Sequence, residues 1–200
     1  MMLRDLLKNY RLILASQSPR RKMLLEGIDI PFEIIVRPDV DESFPEGMDL
    51  FGIPVYLAEH KSAHYTDLLD ERTILITADT IVWHKDEFVG KPADVQEARA
   101  ILTRLSGSMH EVVTGVCIRS VRKKVLFKSH SRVFFRELSD DEISYYIEKY
   151  RPMDKAGAYG IQEWIGYVGI EKIEGSFYNV MGLPVQQLYA ALEKFVKDEQ

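Results

Sequence analysis

Residues 12–21 of this 200-residue chain read LILASQSPRR, and this stretch decides the fold that the sequence predicts. Its apolar first part is typical of a short buried strand. Ser18 is a favourable helix N-cap, and Pro19 suits the first helical position, where its missing N–H costs nothing. We therefore expect a strand, a tight turn and a helix over residues 20–26, which together begin a βα unit.

Farther along the chain, the pattern mixes such units with antiparallel hairpins. The β-branched run at residues 73–78 predicts a central strand, and residues 85–86 predict a hairpin tip. Long strands over residues 111–119 and 124–136 are expected to pair. We also expect a strand over residues 32–37 and helices that open at Pro54, Asp94, Ser139 and Pro184. The sequence thus predicts the α/β class, with a mixed sheet flanked by helices, in a single domain over residues 1–200 whose middle could form a lobe of its own.

Composition limits the classes of function. The chain is 46% hydrophobic and 28% charged, as in ordinary globular proteins, and its net charge of −5 gives no general attraction to nucleic acid or anionic lipid. No apolar stretch approaches the roughly 20 residues that cross a bilayer. The single cysteine, Cys117, excludes an intrachain disulfide and fits a reducing compartment. We therefore expect a cytoplasmic protein with neither a nucleic-acid partner nor a membrane partner.

The turn after the first strand is one candidate binding site. A strand that enters a helix N-terminus directs free backbone N–H groups at one spot, which favours an anion. The hydroxyls of Ser16 and Ser18 and the guanidinium groups of Arg20 and Arg21 strengthen this case, because guanidinium can bind phosphate bidentately. An ordinary N-cap followed by solvated arginines is the alternative interpretation.

A second candidate is Asp79, which follows the predicted central strand and precedes Thr80. Open α/β sheets place their ligands at the carboxyl ends of their strands. A carboxylate there can bind a divalent cation or accept a proton from water. An aspartate that closes a turn through local hydrogen bonds is the alternative.

Two further motifs are less specific. The segment Gly90-Lys91-Pro92 is not a phosphate-binding P-loop, since that motif needs an upstream glycine and a Ser or Thr after the lysine. It leaves Lys91 as a point charge for phosphate or as a plain turn lysine. His60 and His64 have the spacing of a two-histidine metal site, but Lys61 follows His60 where the zinc-protease pattern has its general-base glutamate, and a solvated helix face is the preferred interpretation.

Residues 156–162, AGAYGIQ, have the composition of a nucleobase pocket. The glycines permit close backbone approach, Tyr159 offers a stacking face, and Gln162 can donate to and accept from a base edge. Glycines and aromatics at strand bends would have the same composition. Together with these residues, basic and acidic side chains elsewhere suggest a polyphosphate ligand with a divalent metal ion. These side chains are Arg20, Arg21, Lys61, Lys91, Glu42 and Asp79.

In their order along the chain, these motifs resemble the signature of the Maf family. The resemblance extends over almost the whole sequence, and it implies an elongated mixed sheet like that of the inosine-triphosphate pyrophosphatases, with a central cleft. It also implies hydrolysis of nucleoside triphosphates to the monophosphate and pyrophosphate with a divalent cation, Mg²⁺ or Mn²⁺. The matching segments are residues 12–21, 40–42, 61, 78–80, 90–92, 105–107, 154–162 and 180–184.

The resemblance also implies roles for single residues. Asp79 would accept the proton of the attacking water and lie near the metal ion, and Glu42 would help to hold that ion. Arg20, Thr80 and Gln162 match the branch of the family that prefers dTTP and UTP, and they would set the base preference. The remaining substrate-binding residues implied are Ser16, Arg21, Lys61 and Lys91.

The sequence departs from the family pattern at a few positions. Glu163 and Trp164 follow Gln162 where the family usually has glycine, and they could alter the mouth of the base pocket. The residues before Leu12 extend the usual start and are expected to form a surface segment. A homodimer is possible. Two functions remain as alternatives, a nucleotide-sensing regulator of cell division without turnover and a pyrophosphatase of modified or purine nucleotides.

Overall fold

The computed structural model describes residues 2–38, 40 and 43–198. Seven strands lie in this part of the chain: β1 (Arg11–Leu14), β2 (Glu33–Ile34), β3 (Thr73–His84), β4 (Glu87–Val89), β5 (Met109–Arg119), β6 (Lys124–Phe135) and β7 (Ile170–Glu174). The helices are α1 (Leu3–Leu6), α2 (Pro19–Glu26), α3 (Ile53–Ala63), α4 (Val95–Leu105), α5 (Asp140–Tyr150), α6 (Trp164–Gly169), α7 (Phe177–Met181) and α8 (Val185–Lys197). No helix in the described residues is both long enough and apolar enough to span a bilayer.

All seven strands belong to one sheet in the order β2-β1-β3-β5-β6-β7, and β4 pairs with β3 at the side of this path. Strand β1 is parallel to both β2 and β3. Strands β3 and β4 are antiparallel, as are β6 and β7. A mixed sheet with intervening helices confirms the predicted α/β class.

The chain divides into two compact units. Unit 1 contains Met1–Asp79, Thr114–Ser129 and Gly182–Gln200, and unit 2 contains Thr80–Val113 and His130–Met181. Strands β3, β5 and β6 each contribute residues to both units. The single domain, the elongated shape and the central cleft stay predictions.

Unit 1 is built on the first strand and the last helix. Leu12, Ile13 and Leu14 of β1 are buried beside β3, as the apolar run predicted. The expected apolar face of α8 is likewise buried, and it consists of Val185, Leu188, Leu192 and Phe195. Both sets of side chains therefore belong to the buried core of unit 1.

The prediction of a surface segment before β1 is wrong. Helix α1 packs against α8, and Leu3 and Leu6 are buried. The backbone N–H of Leu3 donates to the Tyr189 hydroxyl of α8 at 3.3 Å. The two leucines lie one helical turn apart, so they share a face that the last helix covers.

Local signals in unit 2 are confirmed at several helix and hairpin ends. Ser139 and Glu142 form a capping box at the start of α5. The Asp94 side chain accepts from the backbone N–H of Glu97 at 2.8 Å. Lys85 and Asp86 both have positive φ, as the tip of the β3–β4 hairpin requires. Helix α6, helix α7 and strand β7 were not predicted.

Strand β2 is shorter than the expected strand over residues 32–37 and covers only Glu33–Ile34. Ile35 still donates its backbone N–H to Leu14 at 3.3 Å. The Arg37 side chain binds Asp67 through both terminal nitrogens, at 2.8 and 2.6 Å. Both residues of β2 are exposed, so little burial is available to extend the pairing.

Candidate active site

A partly buried ion pair belongs to the candidate site in unit 1. Helix α3 carries Lys61, and its ammonium donates to Oδ1 of Asp79 on β3. The two side chains are only 16% and 12% exposed. Water is therefore largely excluded from the contact, and the lysine fixes the orientation of the carboxylate.

Asp79 does not follow the end of its strand, as the sequence suggested, because β3 continues unbroken to His84. The neighbouring strand ends earlier, however. Leu14, the last residue of β1, is paired with Ile76, and Ala15 donates its backbone N–H to the Ile76 carbonyl at 2.9 Å. Asp79 therefore lies beyond the carboxyl end of β1, on the part of β3 that β1 no longer covers.

Helix α3 is fixed to the sheet, and this positions Lys61. The Thr77 hydroxyl on β3 donates to the Ala58 carbonyl at 2.6 Å. Gly115 of β5 lies so close to α3 that a Cβ atom there would come within 2.3 Å of the Pro54 backbone. A larger residue at position 115 would therefore push the helix and its lysine away from the sheet.

The turn between β1 and α2 has the predicted capping geometry. The Ser18 side chain accepts from the backbone N–H of Arg21 at 3.4 Å, and Ser16 Oγ accepts from the backbone N–H of Ser18 at 3.2 Å. Arg21 Nε donates to the Gly182 carbonyl at 2.8 Å, so part of this guanidinium joins the turn to the chain before α8. Arg20 is partly buried at the start of α2.

Among the residues that the structure describes, unit 1 thus contains five of the predicted site residues. Because β1 and β3 are parallel, the turn after β1 and the Lys61–Asp79 pair lie toward the same end of the sheet. The five residues are Ser16, Arg20, Arg21, Lys61 and Asp79.

Unit 2 contains Thr80, Lys91 and Gln162. Thr80 is partly buried and Lys91 is exposed. The turn that carries Lys91 contacts the glycine-rich segment, because Gly157 donates its backbone N–H to the Gly90 carbonyl at 3.1 Å. That the residues of the two units form one site stays a prediction.

Gln162 is partly buried, and its side-chain oxygen is fully shielded from solvent. Among the described residues this Oε1 atom has no hydrogen-bond partner. A shielded carbonyl oxygen without a donor is costly, since burial removes the hydrogen bonds that water would supply. Because the oxygen is shielded, a ligand N–H group can reach it only after the side chain turns.

Tyr159 does not offer the stacking face that its sequence context suggested. It is only 6% exposed, and its hydroxyl is bonded to His110 Nε2 at 2.7 Å. Its ring packs edge-to-face on His110 and Phe135. Burial raises the pKa of the Tyr159 hydroxyl and lowers the pKa of His110 to about 3. Tyr159 is thus part of the unit 2 core.

Sequence reasoning missed two residues beside Gln162. Tyr146 and Lys155 are buried, and both bind the side chain of Glu163. Lys155 lies within a recognised motif, which could have drawn attention to it. Tyr146 lies on a separate helix, and nothing in its local sequence signals the contact.

The metal-binding residues stay a prediction. Glu42 lies outside the described residues. Asp79 offers a carboxylate oxygen, the ligand type that Mg²⁺ and Mn²⁺ prefer. His60 and His64 meet edge-to-face with ring centroids 5.0 Å apart. Within the described residues, no group of three or more His, Cys, Asp or Glu side chains is placed to hold a metal ion.

The chain belongs to the Maf family, since residues 11–195 match the family described as Maf-like protein. It is 55% identical to a protein of Parabacteroides distasonis named dTTP/UTP pyrophosphatase, over 94% of this chain and 98% of the relative. Proteins with the same name from Porphyromonas gingivalis W83 and Phocaeicola vulgatus are 53% and 50% identical, over 96% and 94% of this chain and 97% of each relative.

Among solved structures, the chain is similar to a nucleoside-triphosphatase, dITP/XTP pyrophosphatase, from Mycobacterium abscessus. The identity is 12%, the TM-score is 0.37, and the match covers 72% of this chain and 97% of the other. A likeness of this size supports no conclusion about function.

Proposed function

We propose that the protein hydrolyses nucleoside triphosphates, preferably dTTP and UTP, to the monophosphate and pyrophosphate. The observation that carries this proposal is the 55% identity, over 94% of the chain, to a relative named dTTP/UTP pyrophosphatase. The partly buried Lys61–Asp79 pair supports it, because it supplies an oriented carboxylate beside the parallel strand ends.

Asp79 would act as the general base. Its Oδ1 accepts from Lys61, so the other oxygen is the atom proposed to take a proton from water. The oxygen of that water forms a bond to the α-phosphorus as the bond to the bridging oxygen breaks. Pyrophosphate leaves with the bonding electrons, and negative charge increases on its oxygens.

Cationic side chains would bind the triphosphate and stabilise this charge. Arg20 and Arg21 lie at the start of α2, where the helix N-terminus adds positive potential. Ser16 would contribute a hydroxyl from the same turn, and Lys91 a point charge from its exposed position. Lys61 would also stabilise this negative charge, since its ammonium lies beside Asp79, the proposed general base.

Arg20, Thr80 and Gln162 would select the base. Thymine and uracil carry an N–H donor at N3, where cytosine has an acceptor. The carboxamide of Gln162 carries both an acceptor and donors for this edge of the base, and an acceptor arranged for the N3 donor would be left unsatisfied by cytosine. A site built to hydrogen-bond one group discriminates strongly against a ligand that lacks it.

Asp79 and Glu42 would hold a divalent cation, Mg²⁺ or Mn²⁺. When bound, such an ion offsets phosphate charge and orients the triphosphate. We further propose that the protein acts in the cytoplasm as a single Maf-like domain without a nucleic-acid or membrane partner. Sedimentation of the purified protein distinguishes a monomer from a homodimer.

A panel of ordinary and modified nucleoside triphosphates, each incubated with the protein and Mg²⁺ or Mn²⁺, tests the proposal. Chromatography should detect the monophosphate and pyrophosphate, with dTTP and UTP consumed fastest. The diphosphate and orthophosphate would contradict the proposed bond cleavage. Saturable binding without product would favour the sensing regulator, and faster turnover of a purine or modified nucleotide would change the substrate.

A further inference from the structure

The turn that carries Gln162 is closed by its own backbone. The N–H of Glu163 donates to the Gly160 carbonyl at 2.9 Å, so Ile161 and Gln162 are the central residues of a four-residue turn. The direction of the Gln162 side chain therefore depends on how the two ends of this turn are held.

One hydroxyl group holds both ends. Tyr146 of α5 is fully buried, and its oxygen accepts from the backbone N–H of Gly160 at 2.9 Å. The same hydroxyl donates to Oε2 of Glu163. Burial raises the pKa of Tyr146, with a further contribution from Glu163, so the hydroxyl keeps the proton that it donates.

The second oxygen of Glu163 is also occupied. Lys155 Nζ lies 3.3 Å from Oε1, and the lysine side chain is only 9% exposed. Glu163 is the N-cap residue of α6, yet its side chain makes no capping hydrogen bond. The carboxylate is turned inward to Tyr146 and Lys155 instead of capping its own helix.

Helix α6 approaches the turn so closely that little movement is possible. A Cβ atom on Gly166 would lie 1.8 Å from the Ile161 carbonyl oxygen. The turn is therefore enclosed by α5 on the Tyr146 side and by α6 at Gly166. Loss of the Tyr146 hydroxyl would leave the buried N–H of Gly160 without its acceptor, which favours a rearranged turn.

We propose that Tyr146 and Glu163 are positioning residues for base selection, which hold the Gln162 turn so that the side chain meets the pyrimidine edge. This inference rests on the proposed function. Neither residue touches the nucleotide, and both act through the Gly160–Glu163 backbone. Glu163, which stands where the family usually has glycine, thus anchors the turn.

Competition between UTP and CTP in one reaction tests the inference. The ratio of their kcat/KM values does not depend on the fraction of folded protein, because misfolding lowers both values equally. We expect Tyr146→Phe to reduce the wild-type preference for UTP by about tenfold, since two hydrogen bonds that hold the turn are lost. Tyr150→Phe is the matched control, because Tyr150 contacts Tyr146 by ring stacking, and it should keep the wild-type ratio.

Gly160→Ala gives an independent second test. The added Cβ would lie 2.8 Å from Cδ of Glu163, so the carboxylate must move while the Tyr146 hydroxyl remains. The UTP preference should fall in this variant as well. If Tyr146→Phe proves inactive, the ratio measured for Gly160→Ala decides the question.

If both variants keep a UTP-to-CTP ratio of kcat/KM within about twofold of the wild-type ratio, and the wild-type protein releases pyrophosphate, the inference is overturned while the proposed function stands. A wild-type protein that releases pyrophosphate from neither nucleotide would overturn the proposed function and the inference with it.

Discussion

Acid should destabilise unit 2 through His110. This imidazole is fully buried among Tyr159 and Phe135, and burial lowers its pKa from 6.5 to about 3, with a smaller contribution from His84. The folded protein therefore keeps His110 neutral in mild acid, whereas the unfolded chain protonates it. Stability from this group is complete above the unfolded pKa and is lost as the pH falls below it.

The size of the loss follows from the two pKa values of His110. At about pH 5, protonation stabilises the unfolded chain by about 2 kcal/mol relative to about pH 7.5. The result changes little with the folded value, because any folded pKa below about 4 leaves the group neutral at that pH. For a urea dependence of about 2 kcal/mol/M, the unfolding midpoint should fall by about 1 M.

Urea titrations followed by tryptophan fluorescence can measure this effect. The chain has two tryptophans, Trp83 and Trp164, and both lie in unit 2 with His110. His110→Gln is the comparison, since glutamine can still form a hydrogen bond but does not titrate. The variant is expected to be less stable at every pH and to lose about 2 kcal/mol less than wild type between the two pH values.

His84 contributes its own pH dependence of stability to both proteins, because burial also lowers its pKa and it remains present in the variant. The difference between the two pH dependences therefore isolates His110. Equal losses of unfolding free energy in wild type and His110→Gln would refute the reasoning.

Three further substitutions test the site and the fold. Asp79→Asn should lower kcat for dTTP about 10²–10⁴-fold with an unchanged circular dichroism spectrum, and full activity would refute a general base. Gly115→Ala should cost about 3 kcal/mol in urea unfolding, because its Cβ meets the α3 backbone, whereas Gly27→Ala, with only ordinary contacts, should not destabilise. Leu3→Ala should lower Tm and cost about 2–5 kcal/mol of unfolding free energy, because Leu3 is fully buried. Met2 is 63% exposed, so Met2→Ala should change the unfolding free energy by less than about 0.5 kcal/mol. Equal effects of the two substitutions would contradict the burial of α1.

Signals carried by neighbouring residues predicted the structure well. Ser18 caps α2, and the Ser139–Glu142 box begins α5. The apolar spacing of the last helix likewise indicated its buried face. In each case a few adjacent positions contain both partners of the interaction, so the sequence alone carries the information.

Features that depend on distant residues were not predictable in this way. Leu3 and Leu6 occupy a four-residue helix that would be marginal in isolation and is stabilised by the far end of the chain. Tyr159 lies in a glycine-aromatic segment, and that composition fits a core as well as a pocket. Only the packing of His110 and Phe135 on its ring decides between the two.

In the candidate site, too, single residues were predictable from the sequence and their contacts with distant residues were not. The carboxylate of Asp79 and the ammonium of Lys61 were both identified from the sequence as candidate site groups, but their ion pair was not predicted. The ion pair joins α3 to β3, and its formation depends on the docking of Gly115 and Thr77. The network around Gln162 depends similarly on Tyr146, a residue of another helix.

Hydrolysis of dTTP in water labelled with heavy oxygen tests most directly where the water attacks. Mass spectrometry of both products identifies the phosphorus atom that received the new oxygen. Attack at the α-phosphorus, with Asp79 as the base, predicts the label in thymidine monophosphate and none in pyrophosphate. Label in the pyrophosphate, or release of thymidine diphosphate and orthophosphate, would contradict it.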